Sequence, residues 1–456
     1  MKRIINGLLA MVLIVQTLSV AGCSSAGTKS LQIFDGGGNE MAFLQTVSDA
    51  RTELTDSAYR AYLEAVLSES EELIAEQNNC DVKKARKFLL KNECTVYTAL
   101  DSRVFSSVQK AYEQQNQTDL SFGCAVTDLH GNLLALFSAG ADGQECVNYA
   151  TEKTPPYSSF KPLCVYTPAI ENGLADWSTV YLDAPIKKVE TENGKKVDWP
   201  SNATGTYTNA NATVAEAVKT SLNTVAVRCM QTVGVKNSLS FLERKFGLTL
   251  DFEKKKAEAY GEDEVIGNVA LGHLYEGVSP ADMAGYYQIF ANGGYYTKPH
   301  TVLKICKKSG DTVYEYQSDE GQVIKSTTAY LMNRLLQTVV TAGGTGEKAR
   351  CEGVKVGGKT GTGDFGNWFV GFTPQYSCAV WHGTELAKNT ASELFSKAVS
   401  GFNHTAKKNF PNCTGIKKAA YCCESGRLFS AKCKRADMGY YVSDQLPETC
   451  NIHESF

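Results

Sequence analysis

A serine hydroxyl and a lysine amine stand close together in the stretch PPYSSFKPL at residues 155–163, where Ser158 precedes Lys161 by three positions. On a helix this spacing puts both side chains on one face, about one turn apart. A neutral amine beside a hydroxyl can act as the base that a serine nucleophile requires. The spacing recurs at Ser107 and Lys110. The pair alone is therefore more typical of a helix-capping serine beside a solvated lysine than of a nucleophile and its base.

Two further patterns follow downstream in a fixed order. They are Ser221-Leu222-Asn223 and Lys359-Thr360-Gly361-Thr362, which complete the series Ser-x-x-Lys, Ser-x-Asn and Lys-Thr-Gly. Each pattern alone is more typical of a turn or an exposed helix position than of a catalytic site. The ordered set predicts acyl transfer through a serine, with Ser158 rather than Ser107 as the nucleophile.

The flanks of the three patterns resemble one family, the transpeptidase domain of penicillin-binding proteins, most closely the bifunctional class A type. The resemblance runs from about Val96 to Asn403 and rests on residues 158–162, 199–202, 214–224, 282–294 and 368–374. It implies an α+β fold of the β-lactamase/transpeptidase type, in which helices flank a central antiparallel sheet.

The resemblance also implies a role for each site residue. Ser158 is the nucleophile and Lys161 its base, kept neutral by burial and by the nearby cation of Lys359. Ser221 relays a proton to the leaving amine, and Asn223 binds the substrate's peptide backbone.

The third pattern forms the rest of the implied substrate site. The backbone N–H groups of Ser158 and Thr362 bind the oxyanion, where one donor is worth roughly 3 to 4 kcal/mol in the transition state. Lys359, Thr360 and Thr362, with Gly361 between them, receive the terminal carboxylate of a D-Ala-D-Ala peptide.

The expected reaction is D,D-transpeptidation of peptidoglycan stem peptides, with β-lactams as inhibitors. A D,D-carboxypeptidase and a non-catalytic penicillin-binding receptor or scaffold are the alternatives. A β-lactamase is disfavoured, because the chain has no obvious Glu-x-x-Leu-Asn stretch. We expect no cofactor, and the six histidines form no His-Glu-x-x-His pattern of a metallohydrolase.

Two positions depart from the family pattern. Tyr157 precedes the nucleophile where glycine is usual, and Gly363 follows Thr362 where a hydroxyl residue is common. These changes favour the receptor alternative, because a tyrosine ring beside the nucleophile and a missing hydroxyl can each weaken the grip on substrate.

About seventy residues separate Cys23 from the start of the resemblance. This length is too short for the glycosyltransferase half of a class A protein. We therefore expect glycan polymerisation to belong to a separate protein.

The amino-terminal residues predict export. Lys2 and Arg3 precede an apolar run at 8–18, which is too short to span a bilayer. The following Val20-Ala21-Gly22-Cys23 resembles a bacterial lipobox, so Cys23 is the expected lipidation site. Two acyl signals hold a protein stably on a membrane, which predicts anchoring at the extracytoplasmic face of the cell membrane.

The elements divide the chain into four predicted parts: a signal peptide at 1–22, a lipidated spacer and helical segment at 23–95, the transpeptidase domain at 96–403 and a Cys-rich tail at 404–456. Gly36–Gly38 is interpreted as a linker, and helical periodicity at 39–91 predicts two or more helices. Strands are expected from Thr95, with a hairpin that turns at 130–132.

Fifteen cysteines are many for an exported protein, and fourteen remain without Cys23. Such a protein favours disulfides. Five cysteines crowd into the tail: Cys413, Cys422, Cys423, Cys433 and Cys450. No Cys-x-x-Cys pair is present, so we expect at least one disulfide, Cys423–Cys433 for preference, or unpaired thiols if the habitat is anaerobic, rather than a metal site.

The overall charge argues against nucleic acid as a partner. The chain has 46 basic and 49 acidic residues in 456 and a formal charge of -3. It contains no basic stripe that follows a phosphate backbone.

Overall fold

The computed structural model describes residues 30–44, 58–115, 120–140, 147–191, 193–383, 390–405 and 409–453. The strands are, in chain order, β1 Leu31–Phe34, β2 Glu40–Leu44, β3 Thr95–Thr98, β4 Phe122–Asp128, β5 Leu133–Ala139, β6 Val180–Leu182, β7 Lys187–Glu190, β8 Lys196–Trp199, β9 Asn211–Thr213, β10 Tyr295–Tyr296, β11 Val302–Cys306, β12 Thr312–Glu315, β13 Gly321–Gln322, β14 Gly357–Gly363, β15 Gly366–Phe372, β16 Tyr376–His382, β17 Ile416–Cys422 and β18 Ala436–Val442.

The helices are α1 Arg60–Gln77, α2 Val82–Lys91, α3 Ser102–Glu113, α4 Thr167–Glu171, α5 Val214–Thr220, α6 Asn223–Val233, α7 Val235–Phe246, α8 Asp251–Tyr260, α9 Glu262–Leu271, α10 Pro280–Asn292, α11 Ser326–Val339 and α12 Thr390–Ser400. Short 3-10 turns lie at Tyr157–Phe160 and Glu347–Ala349, and a wider π turn lies at Pro162–Tyr166. Within the described ranges, no helix is both long enough and apolar enough to cross a membrane.

Five antiparallel strands form the central sheet, in the order β14-β15-β16-β4-β5. Every residue of β15 and all but the last of β4 are buried. Because alternate side chains of a strand point to opposite faces, both faces of the sheet are covered. Helix α10 packs on β4, β15 and β16, and α12 packs on β15, β16 and α3. The structure confirms the α+β fold with a central antiparallel sheet flanked by helices.

The predicted hairpin is present as β4 and β5, which pair antiparallel. Its turn is held by the carboxylate of Asp128, which accepts hydrogen bonds from the backbone N–H groups of His130 at 2.8 Å and Asn132 at 3.0 Å. Gly131 supplies the left-handed conformation of the turn, with φ of 83°. The opposite border of the sheet is strand β14, which carries Lys359.

A second sheet has the strand order β12-β11-β3-β1-β2. Strands β1 and β2 form a hairpin, and β1 also pairs parallel with β3. The turn between β1 and β2 is ordered and is not a linker. The Asp35 carboxylate accepts hydrogen bonds there from the backbone N–H groups of Gly37 at 2.9 Å and Asn39 at 2.7 Å. The prediction of a spacer, of helix from Asn39 and of strands only from Thr95 is therefore wrong at residues 31–44. Strands of four and five residues show too little alternation to stand out from a loop.

Helices α1 and α2 follow in the segment for which the sequence predicts helices. One face of α1 is fully buried through Tyr62, Leu63 and Val66. The two helices are joined by Arg86, whose Nη2 lies 2.8 Å from Oε2 of the buried Glu71. This face packs into the core with β5 and β11.

Helices α6, α7 and α9 form a helical layer beside the border strand β14. The 3-10 turn at Tyr157–Phe160 lies between β14 and α9, and the π turn that follows it packs on α6 and α7. The residues of the Ser-x-x-Lys pattern are thus held between the sheet and this helical layer.

Candidate active site

Ser158 lies in the 3-10 turn and is half-buried. The turn begins at Tyr157, whose φ is 49°. A residue other than glycine is uncommon in this left-handed region of the backbone dihedral angles. The conformation is held by the backbone N–H of Tyr157, which donates to the carbonyl of Gly272 at 2.9 Å. Tyr157 therefore keeps the backbone shape for which glycine is the usual residue.

The neighbouring Ser159 points into the core. It is fully buried, and its Oγ donates to the carbonyl of Pro156 at 2.6 Å. Its own carbonyl accepts a hydrogen bond from the hydroxyl of Tyr287. The two adjacent serines thus have different surroundings, and Ser158 is the more accessible one.

Lys161 is fully buried directly after the 3-10 turn. Its Nζ donates to Oδ1 of Asn223 at 2.6 Å and to the carbonyl of Ser221 at 3.1 Å, and lies 3.5 Å from Oγ of Ser221. Burial lowers the pKa of Lys161 to about 7. A substantial share of this amine is therefore neutral near physiological pH.

Lys359 lies on β14 and is also fully buried. Its Nζ donates to Oγ of Ser221 at 2.9 Å and to the carbonyl of Thr360 at 3.2 Å. Burial, and then the charge of Lys161, hold the pKa of Lys359 well below its ordinary value. Burial is the larger cause for both amines, as expected for Lys161, and repulsion between the two neighbouring charges adds to it.

Ser221 joins the two amines. It follows α5 as the C-cap residue in a left-handed conformation with φ of 63°, and its backbone N–H donates to the carbonyl of Ala217. This reversal of the chain exposes both the carbonyl and the Oγ of Ser221 to Lys161. Two residues later Asn223 begins α6, so the Ser-x-Asn spacing places both side chains on Lys161 from one tight connection.

A polar network behind Asn223 was not predicted from the sequence. The backbone N–H of Asn223 donates to Oδ1 of Asn202 at 2.9 Å, and the side-chain amide of Asn202 donates to Asp183 at 2.7 Å. Asp183 also accepts from the hydroxyl of Thr224 at 2.6 Å. Asp183 is buried and supports the second pattern from 38 residues before it, so no local spacing signals its part.

The remaining residues of the third pattern, at 360–362, belong to the border strand β14. Thr360 donates through its hydroxyl to that of Thr345 at 2.8 Å, and Thr362 is exposed. A side chain at Gly361 would overlap the carbonyl of Pro156. Glycine is therefore required here for β14 to approach the Ser158 turn.

The two departures from the family pattern contact each other. A Cβ at Gly363 would overlap the ring of Tyr157. That ring is buried, and its hydroxyl accepts a hydrogen bond from the backbone N–H of Phe365 at 3.0 Å. Tyr157 thus fills the space beside residue 363, and the missing hydroxyl and the additional ring form one paired change.

The second Ser-x-x-Lys pair lies apart from these residues, on helix α3. Ser107 donates to the carbonyl of Ala398 at 2.8 Å, and Lys110 is exposed. The structure therefore places this pair on a helix surface that packs against α12. Cys23 lies outside the described residues.

The arrangement as a whole can transfer protons and bind an anion. A hydroxyl between two buried amines provides a route for a proton, and the low pKa of Lys161 makes the amine an effective base near neutral pH. The polar side of β14 beside these amines offers hydroxyl and amine donors to a carboxylate. Such a site suits acyl transfer to and from a serine.

Comparisons with known proteins point to one family. The model of the penicillin binding protein transpeptidase domain matches residues 95–401. Penicillin-binding protein 1A of Clostridium acetobutylicum is 31% identical over 338 residues, which cover 68% of this chain and 40% of that protein. The chain thus spans about two fifths of the length of this curated relative.

Solved structures share the fold. The D,D-transpeptidase domain of a peptidoglycan glycosyltransferase from Eggerthella lenta has a TM-score of 0.61 at 17% identity and covers 82% of this chain and 98% of its own. PonA1 from Mycobacterium tuberculosis in complex with penicillin V has a TM-score of 0.64 at 22% identity and covers 78% and 97%. With the family model covering two thirds of its residues, the chain belongs to the penicillin-binding protein transpeptidase domain family.

Proposed function

We propose that this protein is a D,D-transpeptidase that cross-links peptidoglycan stem peptides through an acyl-enzyme on Ser158, and that β-lactams acylate the same serine. The observation that carries the proposal is the buried Lys161 amine, with a pKa of about 7, which shares the Ser221 hydroxyl with a second buried amine. The family supports it, as does the Mycobacterium tuberculosis relative in complex with penicillin V.

In the acylation step, neutral Lys161 accepts the proton of the Ser158 hydroxyl. The Oγ attacks the carbonyl carbon between the two D-Ala residues, and the carbonyl oxygen becomes an oxyanion. The backbone N–H groups of Ser158 and Thr362 bind this oxyanion, which preorganised donors stabilise strongly in a dry site. The contact of β14 with the Ser158 turn at Gly361 supports this assignment, since it brings the two segments together.

The terminal carboxylate of the substrate binds Lys359, Thr360 and Thr362. In the free protein the pKa of Lys359 is low because of burial and the Lys161 charge. A bound carboxylate supplies the missing counter-charge and favours the protonated amine. Substrate binding therefore sets the two lysines in different states: Lys359 is charged and Lys161 is neutral and ready to accept a proton.

Collapse of the intermediate breaks the peptide C–N bond. The proton held by Lys161 passes through the Ser221 hydroxyl to the leaving nitrogen, and D-Ala departs with it. Ser221 suits this relay because its Oγ lies within 3.5 Å of both amines. Asn223, whose Oδ1 accepts from Lys161, holds that lysine and binds the backbone of the stem peptide. The amine of a second stem peptide then attacks the ester and restores Ser158.

Intact-mass measurement after treatment with penicillin tests the nucleophile. Wild-type protein should gain one stable adduct, and Ser158→Ala should gain none. Ser159→Ala is the matched control beside it, and Ser107→Ala is the control for the second Ser-x-x-Lys pair; both should label like the wild type. A label that persists in Ser158→Ala would overturn the assignment, rapid loss of the label would indicate a β-lactamase, and no label in the wild type would indicate a receptor or scaffold.

Product analysis with a stem pentapeptide tests the acceptor. A D,D-transpeptidase releases D-Ala and forms a cross-linked dimer when a second stem peptide with a free amine is supplied. Release of D-Ala with only the shortened monomer would show that water is the acceptor, and the protein would be a D,D-carboxypeptidase.

We also propose that the protein is lipid-anchored through Cys23 at the extracytoplasmic face of the bacterial membrane. The lipobox-like sequence before this cysteine supports the proposal. Cys23→Ala should move the protein out of the membrane fraction or leave its amino terminus unprocessed. Unchanged fractionation together with an unchanged mature mass would contradict lipidation.

A further inference from the structure

Four potential metal ligands meet in the carboxy-terminal region, far from the lysine pair in the sequence. They are the Sγ atoms of Cys422, Cys433 and Cys450 and a ring nitrogen of His453, which all lie within 4.8 Å of one another. The shortest recorded separation joins Cys422 Sγ to His453 Nε2 at 3.3 Å. In a tetrahedral zinc site the ligand atoms lie about 3.5 to 3.8 Å apart, as follows from Zn–S and Zn–N distances near 2.3 and 2.0 Å. The observed cluster is close to that size.

We propose that Cys422, Cys433, Cys450 and His453 bind one Zn²⁺ ion as a structural site that holds the β17–β18 hairpin region together. Three thiolates and one imidazole are a ligand set that prefers zinc. Four protein ligands leave no open position for a substrate, so the site is structural rather than catalytic.

Backbone contacts hold the first and third ligands. Cys422 ends β17, and its N–H donates to the carbonyl of Arg427 at 2.8 Å, while Gly426 N–H donates back to the Cys422 carbonyl at 2.9 Å. Cys450 N–H donates to the carbonyl of Leu428 at 2.8 Å. The cluster thus depends on backbone pairing that is independent of the sulfur atoms.

Two of the sulfur atoms also accept hydrogen bonds. The backbone N–H of Ser430 lies 3.3 Å from Cys433 Sγ, and the hydroxyl of Ser425 donates to Cys450 Sγ at 3.2 Å. Donors of this kind stabilise a thiolate and orient metal ligands. Cysteines that only fill apolar space would not need these hydrogen-bond donors.

The expected disulfide does not fit this geometry. Every cysteine in the described part of the chain is a free thiol, and Cys433 lies with Cys422 and Cys450 rather than with Cys423. A disulfide joins only two sulfur atoms, at about 2.05 Å. It would not account for the third cysteine and the histidine that lie beside them. The preferred Cys423–Cys433 bond is not formed in the described part of the chain, and the proposed zinc site replaces the expectation of no metal. That expectation relied on sequence spacing, whereas the ligands come from the end of β17, the segment before β18 and the segment after β18.

The proposed site lies against the transpeptidase fold. The carbonyl of Gly426 accepts from the buried hydroxyl of Ser178 at 2.5 Å, and the side chain of Asn211 donates to the carbonyl of Glu424 at 3.2 Å. Asn211 begins β9, which leads directly into α5 and its terminal Ser221. The zinc ion would thus fasten the tail onto the segment that carries the second sequence pattern.

Metal analysis of the full-length chain, purified under reducing conditions with zinc supplied, tests the proposal. We expect about one zinc per chain in the wild type and little in Cys433→Ser or His453→Gln. Cys423→Ser, Cys413→Ser and Glu424→Gln are matched controls that should keep their zinc, since these residues adjoin the cluster or share the tail without belonging to it. Zinc retained in both ligand variants, or iron in place of zinc, would overturn the assignment.

A second measurement uses only the wild-type chain, in case the ligand variants do not fold. Alkylation of Cys433, followed by peptide mapping, should be slow with zinc bound and at least tenfold faster after a chelator is added. Cys413, which is half-buried and outside the cluster, should react at the same rate in both conditions. Equal rates at Cys433, or a disulfide among Cys422, Cys433 and Cys450 in zinc-supplied protein, would contradict the proposal. Neither measurement depends on acylation of Ser158.

Discussion

The low pKa of Lys161 predicts how acylation depends on pH. The neutral amine is the base, so the second-order rate of acylation by penicillin should rise with the neutral fraction of Lys161. With a pKa of about 7, that fraction is about 1% at pH 5, about 9% at pH 6, about 50% at pH 7 and about 90% at pH 8. The rate should therefore rise about ninefold, then about fivefold, and then less than twofold over the three intervals.

The assay is the rate of fluorescent penicillin labelling over this range, with circular dichroism to confirm that the protein stays folded. Ser159→Ala should show the same profile as the wild type. Lys161→Arg keeps a charge but cannot release a proton near neutral pH, so labelling should fall by about 100-fold to 10,000-fold. A profile that is flat between about pH 5 and 8, or one whose midpoint lies near the ordinary lysine value of about 10.4, would refute burial as the origin of the base.

Three more substitutions test contacts described above. Gly363→Thr should destabilise the protein by about 1 to 3 kcal/mol in thermal unfolding and slow acylation, because the new side chain overlaps the Tyr157 ring. Adding Tyr157→Gly to this variant should restore both the stability and the acylation rate. Failure of this rescue would contradict the pairing of the two positions. Asp183→Asn should cost about 1 to 3 kcal/mol in denaturant unfolding. Burial opposes ionisation of Asp183, but hydrogen bonds hold its pKa below the ordinary value. The stabilisation by the Asp183 carboxylate is therefore present above about pH 4 and is lost as the pH falls. An equal cost of the substitution at about pH 3 and pH 7 would count against this role. Arg86→Ala should lower the free energy of unfolding by about 1 to 3 kcal/mol, because it leaves buried Glu71 without its partner. The double variant Arg86→Ala with Glu71→Gln should lose less stability. An equal loss in the two variants would mean that the ion pair contributes little.

The order of the three patterns, together with the resemblance of their flanks, predicted which side chains meet. Lys161, Ser221 and Asn223 converge with Lys359 although the sequence separates them by up to 198 positions. No periodicity contains this information; it came from the resemblance of the flanks. The sheet and its helices were predicted in the same way, and the hairpin at 130–132 from local turn residues.

The sequence did not reveal the properties that depend on packing. The positive φ of Tyr157 is held by a contact with distant Gly272, and that of Ser221 is accompanied by contacts of its carbonyl and hydroxyl with distant Lys161 and Lys359. The resemblance implied that Lys161 is buried, but the extent of its burial, which lowers its pKa to about 7, follows from the packing of distant segments. Asp183 carried no local signal, and the Cys422 cluster lacks the close spacing by which zinc ligands are normally found.

The second sheet has a consequence for how the protein folds. Its middle strand β3 pairs with β1 on one side and with β11 on the other, and about 270 residues separate β1 from β11. Pairing between segments so far apart in the chain is slow, because the intervening loop must close first. During synthesis the β1–β2 hairpin and β3 emerge long before β11, so β3 presents an unpaired edge for most of that time. Unpaired edges of this kind promote association with other chains, so the segment that ends with β3 at Thr98 is the part that most needs protection until β11 is available at residues 302–306.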